Sequence, residues 1–414
     1  MPRPAGFVTT LTRGLRARGS VPLLAAAITI GAVGGTAAGT ETDVLMAGRG
    51  KDVHFTVSCE AKLQPRFDAA LAALYSFWYG QALKEFTAIS EADPQCAMSD
   101  WGIAMSLWNQ IWAPPRPDNL KKGLAAIEKA RSVTQKSQRE SDYIEALAAF
   151  YSDADKLDHP KRAAAYSARM QQLAARYPDD RNAQIFYALS LLASADPLDK
   201  SYANQLKAGG ILEPLWAQQP NHPGLAHYII HSYDYPALAE RAKAAAERYA
   251  SIAPSAAHAL HMPSHTFTRV GMWEESIGAN LRSIDVATRA GTIGEALHGS
   301  DYLEYAYLQM GNDSAAKAVV DGLPALTARF DAIAPIVVAQ QSDEIRGHAV
   351  HTRERGQLLF RSREQRFRAR RVVSTEPRRD AERHDVVHVN PQVHATHVPQ
   401  ALHEQSRGDQ QRHR

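Results

Sequence analysis

An all-α fold, a solenoid of helical hairpins, is predicted by three features of this 414-residue chain. From Phe67 to Leu323 the sequence is rich in Ala and Leu, with apolar residues three and four apart and almost no β-branched alternation, which is helical periodicity. Pro94, Pro178, Pro220 and Pro254 each close such a stretch, and the last two stand 34 residues apart, a spacing that suits a repeated two-helix unit. A stripe of large and small residues also recurs in each unit.

Residues 1–38 read as a signal peptide. Arg3, Arg13, Arg16 and Arg18 precede an apolar run from Val21 to Val33, and small residues follow, with Thr36 and Ala38 fitting cleavage before Gly39. An uncleaved anchor is the alternative, but the run is short for a span and diluted by glycine. The expected location is the periplasm or the cell exterior, with no stable membrane insertion after cleavage. Residues 39–59 read as an extended segment, and the repeat array as 60–340. In an oxidising compartment the only two cysteines, Cys59 and Cys96, can form a disulfide; two separate buried thiols are the other reading.

Within the array the stripes are Trp101, Gly102 and Met105; Tyr187, Ala188 and Leu191; Ile229, Ile230 and Tyr233; Leu260, Ser264 and Phe267; then Leu303 and Tyr307. Gly311-Asn312-Asp313 reads as a helix C-cap followed by a new N-cap. The runs Gly271-Met272-Trp273-Glu274-Glu275-Ser276-Ile277 and Gly311-Asn312-Asp313-Ser314-Ala315-Ala316 resemble the tetratricopeptide repeat family, over about residues 60 to 324. Phe77-Trp78-Tyr79, Cys96-Ala97-Met98, Trp112-Ala113-Pro114-Pro115, His222-Pro223-Gly224 and His261-Met262-Pro263-Ser264-His265 resemble exported bacterial repeat proteins of unassigned function. Between Leu120 and Asp180 and from Pro197 to Pro220 the repeat lengths depart from the pattern.

Residues 341–414 differ in kind: they hold eight of the seventeen histidines, carry no Lys, Trp, Tyr, Met or Cys, and lose apolar periodicity. Such a segment cannot bury enough surface to offset its ordering entropy and is expected to be disordered. Its abrupt onset points to out-of-frame translation; a native Arg/His-rich tail is the alternative. The net charge of +3 hides an acidic body: removing +4 for residues 1–38 and +5 for 341–414 leaves −6 for the middle. That balance argues against a nucleic-acid partner.

Six of the nine histidines before residue 340 fall between His222 and His265. At steps of three and four residues, side chains share one helix face. His227, His231 and Asp234 form one stripe; His258, His261 and His265 a second; His298, Asp301 and Tyr305 a third. Resemblance to the tetratricopeptide family implies that this face lines a concave groove binding a protein, a peptide or a small polar ligand. The alternative is a metal-binding protein or metal-dependent enzyme, with a divalent transition-metal site built from His227, His231, His261 and His265 and an oxygen from Asp234 or Asp301, suited to zinc, copper, nickel or iron. Structural packing of the imidazoles is a third reading. Pro263 either kinks one helix or starts a new one, and the latter would break the second stripe.

Other candidates are weaker. The aromatic residues Tyr75, Phe77, Trp78 and Tyr79 with Trp101, Trp108 and Trp112 read as core between the first repeats. Asp153, Asp155 and Asp158 lack the Gly and Glu of a calcium loop. No Walker sequence, His-Glu-x-x-His or Gly-x-Ser-x-Gly elbow occurs, so no catalytic nucleophile can be named.

Overall fold

The computed structural model describes residues 52–333 except 110 and 112. The signal segment, Trp112 and the tail after 340 lie outside the described residues. Among the described residues no strand occurs, and no helix is long and apolar enough to cross a membrane.

The first eight helices are α1 (Gln64–Tyr75), α2 (Tyr79–Ala92), α3 (Ala97–Trp108), α4 (Pro117–Ser132), α5 (Gln138–Tyr151), α6 (His159–Arg176), α7 (Arg181–Ala193) and α8 (Ala203–Gln218). They are followed by α9 (Pro223–Ser232), α10 (Lys243–Ile252), α11 (Ala257–His261), α12 (Pro263–Val270), α13 (Trp273–Ala290), α14 (Ile293–Gln309) and α15 (Asp313–Ile333). Sequence neighbours pack together throughout, so the chain is a series of helical hairpins, an all-α solenoid of tetratricopeptide-like form. The four punctuating prolines each stand two residues beyond a helix end, at Ala92, Arg176, Gln218 and Ile252. A proline there cannot extend the helix, because it has no N–H to donate.

Local chemistry sets the other ends. Ser137 and Glu140 form a reciprocal capping box at the start of α5, and Asp158 and Asp180 cap α6 and α7. Gly271 and Gly311 take left-handed φ values of 78° and 75°, where a Cβ is disfavoured, and end α12 and α14. Asn312 then accepts from Ala315 N–H at 3.1 Å and opens α15. At the N-terminal end, Cys59 and Cys96 are joined in a disulfide that ties the segment before α1 to the start of α3.

One long-range contact shapes the site. Helix α1 packs against α9, four hairpins further along the chain, as well as against α2 and α3. Its residues from Ala69 to Tyr75 are all buried, the pattern of a helix enclosed on every side. Tyr75 stacks on Phe186 of α7 at 5.1 Å and donates its hydroxyl to Asn182 at 2.7 Å. Without that acceptor a buried phenol would cost about 1–3 kcal/mol. The N-terminal aromatic group is therefore core for late repeats as well as early ones.

Candidate metal centre

Helix α9 begins with Pro223 at a position whose N–H would be unpaired anyway. Four-residue spacing then sets His227 and His231 side by side, ring centroids 4.7 Å apart. In the next hairpin α11 ends at His261 and α12 starts at Pro263. The stripe survives this break, because Met262 keeps helical angles (φ −52°, ψ −36°) and its N–H still reaches the His258 carbonyl at 2.9 Å. His258, His261 and His265 consequently share a face, and α14 brings His298 to within 4.3 Å of the His261 ring.

The six imidazoles divide into two trios. His227, His231 and His258 form one, and His261, His265 and His298 the other; within each, one potential ligand atom per residue lies within 4.8 Å of the others. The four histidines grouped from sequence as one chelating set fall as pairs into different trios. Rings of the two trios still approach closely, at 6.1 Å for His231 with His265 and 6.2 Å for His258 with His261.

Partners outside the trios decide which nitrogen of each ring carries the proton. His227 Nδ1–H donates to the Tyr75 carbonyl at 2.7 Å, and a carbonyl can only accept. His261 Nδ1–H donates to Asn280 Oδ1 at 2.7 Å, an amide whose orientation follows from its own NH2 donating to the Ser276 carbonyl. His265 Nδ1–H donates to Asp234 Oδ2 at 2.7 Å, and Arg269 holds the other Asp234 oxygen at 3.0 Å. His258 Nδ1 lies 3.3 Å from Glu295 Oε2. In each of these rings the neutral form leaves a bare lone pair on Nε2. The Nε2 atoms of His227 and His258 are buried with no hydrogen-bond partner, and His261 Nε2 faces His265 Nε2 at 3.0 Å.

Electrostatics keep several of these rings neutral. Burial, reinforced by repulsion among the imidazoles, holds His227, His231 and His261 well below the ordinary histidine range. Burial pushes the Asp234 carboxyl up, but His265 and Arg269 outweigh it and leave it below its ordinary value. Two bare lone pairs repel at 3.0 Å, so a proton or a metal ion stands between these two nitrogens. An N–H fixed on an outer carboxylate, carbonyl or amide is also how metal-bound histidines are oriented.

The stripe is partly covered, with His231, His258, His265 and His298 half-buried. His227 and His261 expose 0% of their surface. Phe77, which follows α1, lies edge-on to His227 at 4.4 Å and within 5.6 Å of His231 and 5.5 Å of His258. Beside Phe77 and His258 a recess of about 20 Å³, also lined by Trp78 and Glu295, has room for one water-sized molecule.

Of the oxygen donors named from sequence, Asp234 supports His265 from outside the trio, and neither trio includes Asp301. Tyr305 packs against Trp273 at 6.0 Å. Tyr302 takes the place expected of it, with its hydroxyl 3.2 Å from His265 Nδ1 and its ring 4.8 Å from His261. Glu295 and Tyr302 stand three before and four after His298, so the same spacing rule could have found them. Arg269, four after His265, falls under the same rule, whereas Asn280, Tyr75 and Phe77 carry no such signal.

Fold and site together define a tetratricopeptide-like all-α solenoid with a buried polyhistidine cluster in its last repeats. No protein-family profile matches the chain, and no curated protein matches it. Among solved structures it is similar to the human IFIT1 dimer with PPP-AAAA, at 16% identity over 71% of this chain and 72% of that one, with a TM-score of 0.35.

Proposed function

We propose that the chain is an exported helical scaffold that holds first-row transition-metal ions on the imidazoles of its last repeats. The observation that carries this reading is the 3.0 Å approach of His261 Nε2 to His265 Nε2, with both Nδ1 atoms already committed to acceptors. An ion bonded at about 2.1 Å to both would be subtended at about 90°, an angle of tetragonal or octahedral sites. The burial of His227 and His261 favours an ion over a peptide, since a peptide needs imidazoles that face solvent. Export is supported by the signal-like order of residues 1–38 and by a disulfide suited to an oxidising compartment. The charge of −6 on the middle of the chain supports a partner other than nucleic acid.

The test is elemental analysis of protein purified from the periplasm, beside a His261→Ala/His265→Ala chain. We expect stoichiometric metal in the first and a loss of at least one equivalent in the second. Equal metal content in both, or none in either after incubation with copper, zinc or nickel, would remove the reading.

A further inference from the structure

The two trios adjoin without a wall between them. The shortest ring distances across the boundary, 6.1 and 6.2 Å, match the longest within each trio, 6.3 Å for His231 with His258 and 6.0 Å for His265 with His298. His258 and His261 belong to different trios yet sit three residues apart on α11, where Cβ atoms are about 5–6 Å apart. Ions bound by these neighbours would lie a similar distance from one another, on the order of 4–7 Å. This approaches the separation at which two ions share a ligand.

We propose that the six histidines form one dinuclear centre, with three imidazoles on each ion and a single small anion shared between the ions. This rests on the metal-binding reading above. The shared anion follows from charge. Imidazoles are neutral ligands, so two divalent ions bring four positive charges into a largely buried site, to which Arg269 adds one. Asp234 and Glu295, the carboxylates bonded to His265 and His258, supply only two negative charges. Unbalanced charge in a low-dielectric interior is costly. Hydroxide is the natural anion, because a bound divalent ion lowers the pKa of water towards neutrality.

The experiment is a copper(II) titration of the metal-free full chain, followed by electron paramagnetic resonance with spin counting. A His227→Ala/His261→Ala chain, which retains the eight histidines after residue 340, supplies the background to subtract. We expect two copper ions per chain above that background, and a spin count well below two because the shared anion couples the ions. A His231→Ala or a His298→Ala chain, each removing one ligand from one trio, should bind a single ion and return a full one-spin signal. Binding no greater than background would overturn the metal reading itself. A single ion in the unmutated chain, or two ions with two uncoupled spins, would overturn the dinuclear centre and leave metal binding intact. Spin counting on the unmutated chain decides this even if one of the variants fails to fold.

Discussion

The ring of Phe77 lies edge-on to that of His227, 4.4 Å between centroids, and is held there by a backbone with φ of 52°. Trp78 N–H bonds to the Ala73 carbonyl and Phe77 N–H to the Leu74 carbonyl, at 2.9 and 3.0 Å. Those two bonds are a Schellman motif ending α1, with phenylalanine where glycine is usual. The left-handed backbone costs a non-glycine residue about 1–2 kcal/mol, and the aromatic burial over the histidines offsets it. Removing the ring costs about 3–5 kcal/mol. Phe77→Ala should lose that amount, whereas Phe77→Gly should lose about 1 kcal/mol less because it also relieves the backbone. Urea denaturation of the metal-free chains measures the order, and an alanine variant more stable than the glycine one would show that residue 77 is unstrained.

Asp234 reaches the cluster only through His265. Asp234→Asn should therefore weaken metal binding without abolishing it, by about 10- to 100-fold, the usual effect of losing a carboxylate that orients a ligand histidine. Competition against a chelator of known affinity reads this directly. An unchanged affinity would mean that the bond between Asp234 and His265 is structural alone.

Bound metal should stabilise the fold. A ligand that binds only the native state adds about 3 kcal/mol at a hundredfold excess over Kd. Thermal melting should rise with added copper or zinc and return to its starting value with EDTA. The gain should be absent from the His227→Ala/His261→Ala chain; an equal gain there would assign the metal to other residues.

His222 gives a pH prediction separate from the ligands. Buried beside Tyr75, it is pushed down to about 3 from an unfolded value of 6.5. Below pH 6.5 the unfolded chain takes up a proton that the native ring refuses, so stability is intact above 6.5 and falls as the pH drops towards 3. Between pH 7.5 and 4.5 this residue accounts for a loss of about 3 kcal/mol. His222→Gln should flatten the metal-free stability profile by that amount, whatever its stability at pH 7.5. An unaltered slope would refute the assignment.

The Cys59–Cys96 bridge closes a loop with a sequence separation of 37. The chain-entropy relation values such a loop at about 4 kcal/mol. A Cys59→Ser/Cys96→Ser chain should lose up to that amount in urea, and a loss no larger than about 0.5 kcal/mol would show that the bridge leaves the unfolded ensemble unconstrained.

Helices, their proline-marked ends and the placing of five histidines on shared faces were legible in the sequence, because a 3.6-residue period and a missing N–H act over a few residues. His222 stands outside these stripes, as the N-cap residue before Pro223 of α9. What the spacing left open at Pro263 was decided by one backbone conformation at Met262, which keeps the stripe continuous across a helix break. The division into trios, the amide of Asn280 behind His261 and the ring of Phe77 over His227 were decided only by tertiary packing. Residues 77 and 227 meet because the array curls until α1 lies against α9, an outcome of many summed contacts that no local period encodes. Sequence by itself thus determined which imidazoles share a face, and the superhelix decided which faces meet and that His227 and His261 are the rings it buries.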